Sequence, residues 1–422
     1  MRKYNTITIS KIYLVCSLLC ALLSILGEQF NTGILDYVTI FSFFVFSFGL
    51  FMARGSFVIP KYYFIILILY LFVVIISSYL SIYTLGIRYI LIGTVITITP
   101  FLLFIVSYNY NLTFPRIERI IDIWIYFIIS VSTIAIAETI LSTPGVAYQE
   151  GILKISVVKP GFYASLSNQG VILSLIRYLS AKNKRYLNYA LFFTLCSMLT
   201  IQLKVIIGLV MIWMIYYMFI KKTKISNFIL ISGLVIGLGY IAVMAIPQLQ
   251  EKIYKYTLLY AASDSYESVA RPALYYQSIN IANDFFPWGS GQGTFGSVPV
   301  NMLYNQIYYD YDLNHIHGLG ETGDNFKMDT HWSSIIGENG YLGTMLYLML
   351  FLYPLSFLKK VKGFNNSIAL KFLMLAVFIV VTFESITLCI PGRMAFMFIY
   401  SGILGLISRD ISNKQIDVSD KK

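Results

Sequence analysis

The residues best suited to polar chemistry are concentrated in one stretch of the chain, residues 248–332. Arg271 lies in its first third. A guanidinium is planar, permanently charged and able to hold a phosphate through two parallel hydrogen bonds. Arg271 is therefore a candidate for binding a diphosphate. The alternative is an ion pair with Asp264 or with Glu267, which lies one helical turn earlier. A run with three turn-forming glycines follows: Gly289, Gly291 and Gly293.

His331 and Glu338 form a second candidate pair at the end of this stretch. Their spacing of seven residues places them on one face of the helix predicted to begin near His331. If that helix enters a membrane, His331 lies at the water boundary and Glu338 about 10 Å deeper. Either side chain could accept a proton from a hydroxyl group. The alternatives are a histidine that merely begins a helix and a glutamate that orients a neighbour.

The other two histidines, His315 and His317, raise the question of a metal site. Acidic residues surround them in the sequence: Asp310, Asp312, Glu321 and Asp324. No second pair of ligands has the spacing typical of a zinc site. We therefore predict a solvated loop here and no metal.

Composition indicates the class of protein that must position these residues. Hydrophobic residues make up 58% of the chain and charged residues 12%, with a mean hydropathy of +0.73. Soluble domains carry about 25% charged residues. Apolar runs long enough to cross a hydrocarbon core recur along the chain. The four cysteines all lie in such runs, without disulfide or metal spacing: Cys16, Cys20, Cys196 and Cys389.

The sequence therefore predicts an all-α, polytopic membrane protein with about 12 transmembrane helices. The predicted spans are 12–26, 33–52, 61–80, 86–107, 119–141, 161–179, 187–202, 205–220, 227–246, 333–357, 367–387 and 392–408. The chain thus divides into spans 1–9 (1–247), a large loop domain (248–332), spans 10–12 (333–408) and a tail (409–422). The polar stretch is the loop between spans 9 and 10.

The distribution of Lys and Arg predicts the orientation. Their clusters fall on alternate sides of successive predicted spans and therefore share one face, which the positive-inside rule makes cytoplasmic. This accounts for the net charge of +11 without a nucleic-acid partner. Both termini are predicted in the cytoplasm and residues 248–332 outside it.

This orientation brings further cations to the external face: Lys204, Arg88 and Arg393. Each is a candidate for binding the same phosphate as Arg271, and for Lys204 the alternative is a lysine that extends from a helix end towards water. Glu138 and Glu384 lie within predicted spans, where charged groups usually mark functional sites. Gly337, Gly340 and Gly343 recur every three residues, which favours close helix packing over ligand contact.

Two motifs in this region resemble those of the O-antigen polymerase and O-antigen ligase family of membrane glycosyltransferases. The first is Arg271 followed by PWGSGQGTF at 287–295. The second is HW at 331–332 followed by GENGYLG at 337–343. The resemblance covers roughly residues 200 to 355. This chain has Trp332 where the family usually has Asn, and Leu203 where the family often has Ser before the cation.

The resemblance implies a polymerase of O-antigen or capsule that joins polyprenyl-diphosphate-linked repeat units. The reaction would take place at the outer face of the bacterial cytoplasmic membrane. It also implies a metal-independent enzyme in which Arg271 and Lys204, with Arg88 and Arg393, hold the diphosphate. His331 or Glu338 would then act as the base. Membrane lipid and a chain-length regulator protein are the further partners that it implies. The chain has no P-loop or dinucleotide fingerprint, so no nucleotide cofactor is expected.

Two alternatives remain at this stage. A ligase would use the same donor but transfer the glycan to a lipid A core or protein. A flippase would move the lipid-linked oligosaccharide without forming a bond, and it would be expected to have short loops on both faces. The loop at 297–330 is more suited to specificity than to chemistry.

Overall fold

The computed structural model describes residues 6–29, 34–54, 57–141, 160–200, 202–221, 269–323, 325–361, 367–386 and 397–419. The regular secondary structure in these ranges is helical, and they contain no strand. The helices before the polar stretch are α1 (Thr6–Gln29), α2 (Ile34–Arg54), α3 (Lys61–Leu80), α4 (Ile87–Asn109), α5 (Phe114–Leu141), α6 (Pro160–Ala181), α7 (Lys184–Leu199) and α8 (Leu203–Lys221). The later ones are α9 (Ala270–Asp284), α10 (Val298–Met302), α11 (Ile307–Asp310), α12 (His331–Leu352), α13 (Ser367–Glu384) and α14 (Ile403–Ser419). A 3-10 helix, Tyr353–Val361, extends α12, and a π-helix, Phe398–Gly402, precedes α14.

Among the described residues, five helical segments are long and apolar enough to cross a membrane: Lys61–Leu80, Ile87–Asn109, Phe114–Leu141, His331–Leu358 and Ser367–Glu384. Shorter apolar helices occur at Ile9–Leu23, Phe41–Met52 and Lys204–Met218. This agrees with a helical membrane protein. The predicted span 227–246 lies outside the described residues, as do Asp264, Glu267 and Arg393.

The polar helix α6 lies at the centre of the large core. It packs against α5, α7, α8 and α13, so its whole surface from Tyr163 to Arg177 is buried or nearly so. Its buried polar residues therefore need partners inside the protein.

Arg177 finds its partners on α5. Its Nε and Nη2 donate to the two carboxylate oxygens of Asp122 at 2.7 and 3.0 Å, and its Nη1 lies 2.5 Å from Glu118 Oε1. Arg177→Ala would leave two neighbouring, partly buried carboxylates without their cation. We expect it to lower stability by about 3 kcal/mol, measured as a lower midpoint of thermal unfolding in detergent. Arg119→Ala, at an exposed position on α5, is the control. An equal loss of stability in this variant would contradict the prediction.

The segment α12 is a helical hairpin, which corrects the single straight span predicted at 333–357. Gly340 has φ 60° and ψ −165°, which interrupts the helix. His331 Nε2 and Tyr347 OH are 2.9 Å apart although 16 residues separate them. In a straight helix, 16 residues would span about 24 Å. The Trp332 and Phe351 rings, 5.7 Å apart, are likewise in contact across the two antiparallel arms.

The hairpin also bears on the predicted depths of His331 and Glu338. His331 lies level with Tyr347, about two helical turns beyond the bend along the second arm. Glu338 lies beside the bend itself. If the second arm enters the membrane from the bend, His331 is the deeper of the two residues and Glu338 is nearer the boundary.

Residues 269–323 have a small core of their own. Its fully buried members include Leu274, Phe295, Tyr308, Leu313 and Leu319. This core covers the hairpin from one side, with α9 packed directly on α12.

Candidate active site

Three helices begin close to the point where α13 ends. Arg271 lies in the first turn of α9, Lys204 in the first turn of α8 and His331 at the start of α12. The His331 backbone N–H donates to the Ser385 carbonyl at 3.2 Å, immediately after α13. The Tyr275 hydroxyl of α9 donates to the carbonyl of Ile386 at 2.8 Å. The structure therefore brings together elements that are more than 180 residues apart in the chain.

The two cations of this region lie opposite two carboxylates. Arg271 Nη2 is 2.8 Å from Asp329 Oδ2, and the two side chains are 33% and 30% exposed. Lys204 lies within electrostatic range of Glu384, Arg271 and Asp329. The sequence-predicted pair Lys204 and Arg271 is thus brought together. The described ion-pair partner of Arg271 is Asp329, which sequence reasoning did not select.

The electrostatics of this arrangement favour an anion. Each helix N-terminus carries backbone N–H groups and a partial positive charge, and such ends bind phosphate groups. Three N-termini and two cations meet here, against the carboxylates of Asp329 and Glu384. A diphosphate that displaced the partly exposed Asp329 carboxylate from Arg271 would find a complementary environment.

A buried polar network forms the floor of the site. Asn168 of α6 donates from Nδ2 to Glu384 Oε1 at 2.8 Å and to the Val205 carbonyl at 2.9 Å. Ser197 of α7 donates to Asn168 Oδ1 at 2.8 Å. Gly208 makes room for this network, since a Cβ there would lie 3.1 Å from Asn168 Nδ2. Asn168 was missed from sequence, although an asparagine within a predicted span was an available signal.

The two family-like motifs contact each other through their backbones. Ser290 N–H donates to the carbonyl of Gly337 at 2.9 Å, and Gly291 N–H to that of Glu338 at 3.0 Å. These are carbonyls that the helix break at Gly340 leaves without intrahelical partners. The glycine run therefore completes the first arm of the hairpin.

Both carboxylate oxygens of Glu338 accept hydrogen bonds from residues 292–297, at the end of the glycine run and just after it. Oε1 accepts from the backbone N–H of Phe295 at 3.0 Å and from the Ser297 hydroxyl at 2.5 Å, and Oε2 accepts from Gln292 Nε2 at 2.8 Å. The side chain is fully buried. Of the two predicted roles, the geometry favours orientation of a neighbouring segment over proton transfer.

His331 begins α12 beside the end of α13. It is buried, its Nε2 is bonded to Tyr347 OH, and its ring is 5.3 Å from that of Trp332. Its position beside Ser385 places it next to Glu384, which interacts with Lys204. Of the predicted acid–base pair, His331 is therefore the member that lies beside the end of α13.

The remaining predicted residues lie elsewhere. Arg88 is exposed at the start of α4, and its guanidinium lies 6.0 Å from the Tyr89 ring centroid. The carbonyl of Tyr89 lies against Gly293, so Arg88 adjoins the glycine run. The ring of His317 packs against Phe326 at 5.6 Å. Tyr308, in the loop at 297–330, is fully buried.

Because Asp329 and a diphosphate would compete for Arg271, Asp329→Asn is expected to strengthen anion binding. A partly exposed ion pair is worth up to about 1 kcal/mol, which corresponds to a roughly fivefold lower Kd. Titration calorimetry of the detergent-solubilised protein with inorganic diphosphate measures this. Asp310→Asn, at an exposed position bonded to Tyr83, is the control. Weaker binding to the Asp329 variant would show instead that Asp329 positions Arg271.

No family model matches the chain, and no curated protein matches it.

Proposed function

We propose that this protein is a membrane polysaccharide polymerase that joins polyprenyl-diphosphate-linked repeat units. The single observation that carries the proposal is the meeting of Arg271 and Lys204 at three helix N-termini. The buried apolar helices around this site suit a donor that arrives from the bilayer. The topology proposed with it has about 12 spans, both termini in the cytoplasm and residues 248–332 outside the bacterial cytoplasmic membrane.

In the proposed reaction, the acceptor hydroxyl oxygen attacks the anomeric carbon of the donor. The bond from that carbon to the diphosphate oxygen breaks, and the leaving diphosphate keeps the electron pair. Arg271 and Lys204 stabilise the negative charge that develops on it, which is the main electrostatic contribution expected in such a displacement. We assign the departing proton to His331 rather than Glu338, because the two carboxylate oxygens of Glu338 already accept hydrogen bonds from Phe295 and Gln292.

Reconstitution tests this function. The purified protein in liposomes is given a synthetic polyprenyl-diphosphate repeat unit, and the products are separated by size. A ladder of glycans is the expected result. Movement of the substrate across the bilayer without a new glycosidic bond would contradict the proposal and support a flippase. Transfer only to an added lipid A core or protein acceptor would support a ligase.

The proposed topology has its own test. Cysteines introduced at positions 265 and 320 are expected to react with a membrane-impermeant thiol reagent added outside intact cells. Reaction only after the cytoplasm has been opened would overturn the external placement of this stretch.

A further inference from the structure

The second arm of the hairpin carries an exposed apolar stripe. Tyr341, Met345, Leu348, Met349 and Leu352 are its members, and all are exposed. Their spacing of three and four residues places them on one face of the helix. Since this arm belongs to a candidate membrane span, the stripe has the position and composition of a lipid-facing surface.

The stripe continues without a break onto α9. Phe286 follows the end of α9, and its ring lies 6.1 Å from that of Tyr341. The Tyr341 hydroxyl donates to Asn283 Oδ1 at 2.7 Å. Further along α9, Tyr276 is 47% and Ile279 50% exposed, and Phe286 is 69% exposed. Tyr276, Ile279, Asn283 and Phe286 follow one another at intervals of three or four residues. The three apolar side chains among them therefore form a second apolar face.

The other two faces of α9 are occupied. Ala273, Leu274 and Ile281 are buried in the protein. On the polar edge, Gln277 donates from Nε2 to the Tyr311 carbonyl at 3.0 Å, and Asp284 accepts from the Tyr311 hydroxyl at 2.7 Å. The helix therefore has one face in the core, one edge against a polar cover and one exposed apolar face.

We propose that this exposed face of α9 is in contact with membrane lipid through Tyr276, Ile279 and Phe286. Continuity with the stripe on the candidate span selects lipid as the occupant of this face. The inference does not depend on the proposed catalytic function.

Spin labelling tests this placement. The full-length protein is prepared with single cysteines, Ile279→Cys or Asp284→Cys, after its four native cysteines have been replaced. It is labelled with a nitroxide and placed in nanodiscs of phosphatidylethanolamine and phosphatidylglycerol. Both positions are exposed on the same helix. Collisions with oxygen, which concentrates in lipid, and with a water-soluble nickel chelate are then compared.

We expect the label at 279 to have a several-fold higher ratio of oxygen to chelate accessibility than the label at 284. Equal chelate access at both positions would overturn the proposal, because the apolar face would then lie in water. Low access of both reagents at 279 would also overturn it, since another protein surface or a second copy would cover the face. Tyr276→Cys provides a second lipid-side position and should reproduce the result at 279.

Discussion

Arg271→Ala is expected to abolish ladder formation in the reconstituted reaction, with a loss of at least about 100-fold in kcat. Arg271 is partly exposed, and its guanidinium is already paired with an anion, the Asp329 carboxylate, at 2.8 Å. Its guanidinium offers the paired donors that suit a diphosphate, and alanine removes both the charge and the donors. The rate of glycan formation at saturating donor measures the effect.

Two further variants separate this role from folding. Arg271→Lys keeps the charge but loses the fork of donors, so it should retain part of the activity. Arg119→Ala, at an exposed position on α5, should behave as the wild type. Full activity in Arg271→Ala would remove Arg271 from the mechanism and with it the main support for the proposed diphosphate site.

Gly340→Ala is expected to have the largest effect on stability. A Cβ at this position would lie 2.4 Å from the Pro287 carbonyl oxygen and 2.5 Å from the Gly289 nitrogen, and both are backbone atoms that cannot rotate away. The positive φ of 60° adds a strain of about 1–2 kcal/mol for any L side chain. We expect a total loss of roughly 3–5 kcal/mol, seen as a lower midpoint of thermal unfolding.

Gly49→Ala is the matched control. Gly49 lies within α2, and a Cβ there would meet no atom within 4 Å. Alanine favours helix formation over glycine by up to about 1 kcal/mol, so this variant should be unchanged or slightly more stable. Similar unfolding midpoints for Gly340→Ala and the wild type would show that the hairpin and the glycine run are not rigidly coupled.

The role of Glu338 illustrates where sequence reasoning reached its limit. Its spacing from His331 predicted that both residues lie on one face of a single helix, but the bend at Gly340 was not predicted. A glycine every three residues is compatible with both helix packing and a reversal of the chain. The contacts between the two arms and the backbone contacts with residues 287–291 show the reversal. Glu338, beside the bend, accepts hydrogen bonds from Gln292, Phe295 and Ser297.

The cation site was predicted in part. Lys204 and Arg271 were selected by their charge and position, and the structure brings them together. Glu384 was noted as a charged group within a span and lies in the same site. Asp329 was not selected, because a lone acidic residue before a helix resembles any surface residue until its partner is known. Arg393 lies outside the described residues, and its predicted role stays a prediction.

The sequence by itself determined that this is a helical membrane protein and that its polar chemistry is concentrated late in the chain. Both properties follow from composition and local hydrophobic periodicity, which any short window of residues contains. The tertiary structure alone decided that the two glycine-containing motifs form one unit and that His331 lies level with Tyr347, about two turns beyond the bend. It also showed that Arg271 lies opposite Asp329. These features depend on hydrogen bonds and ion pairs between distant residues, and such contacts leave no periodic pattern in the sequence.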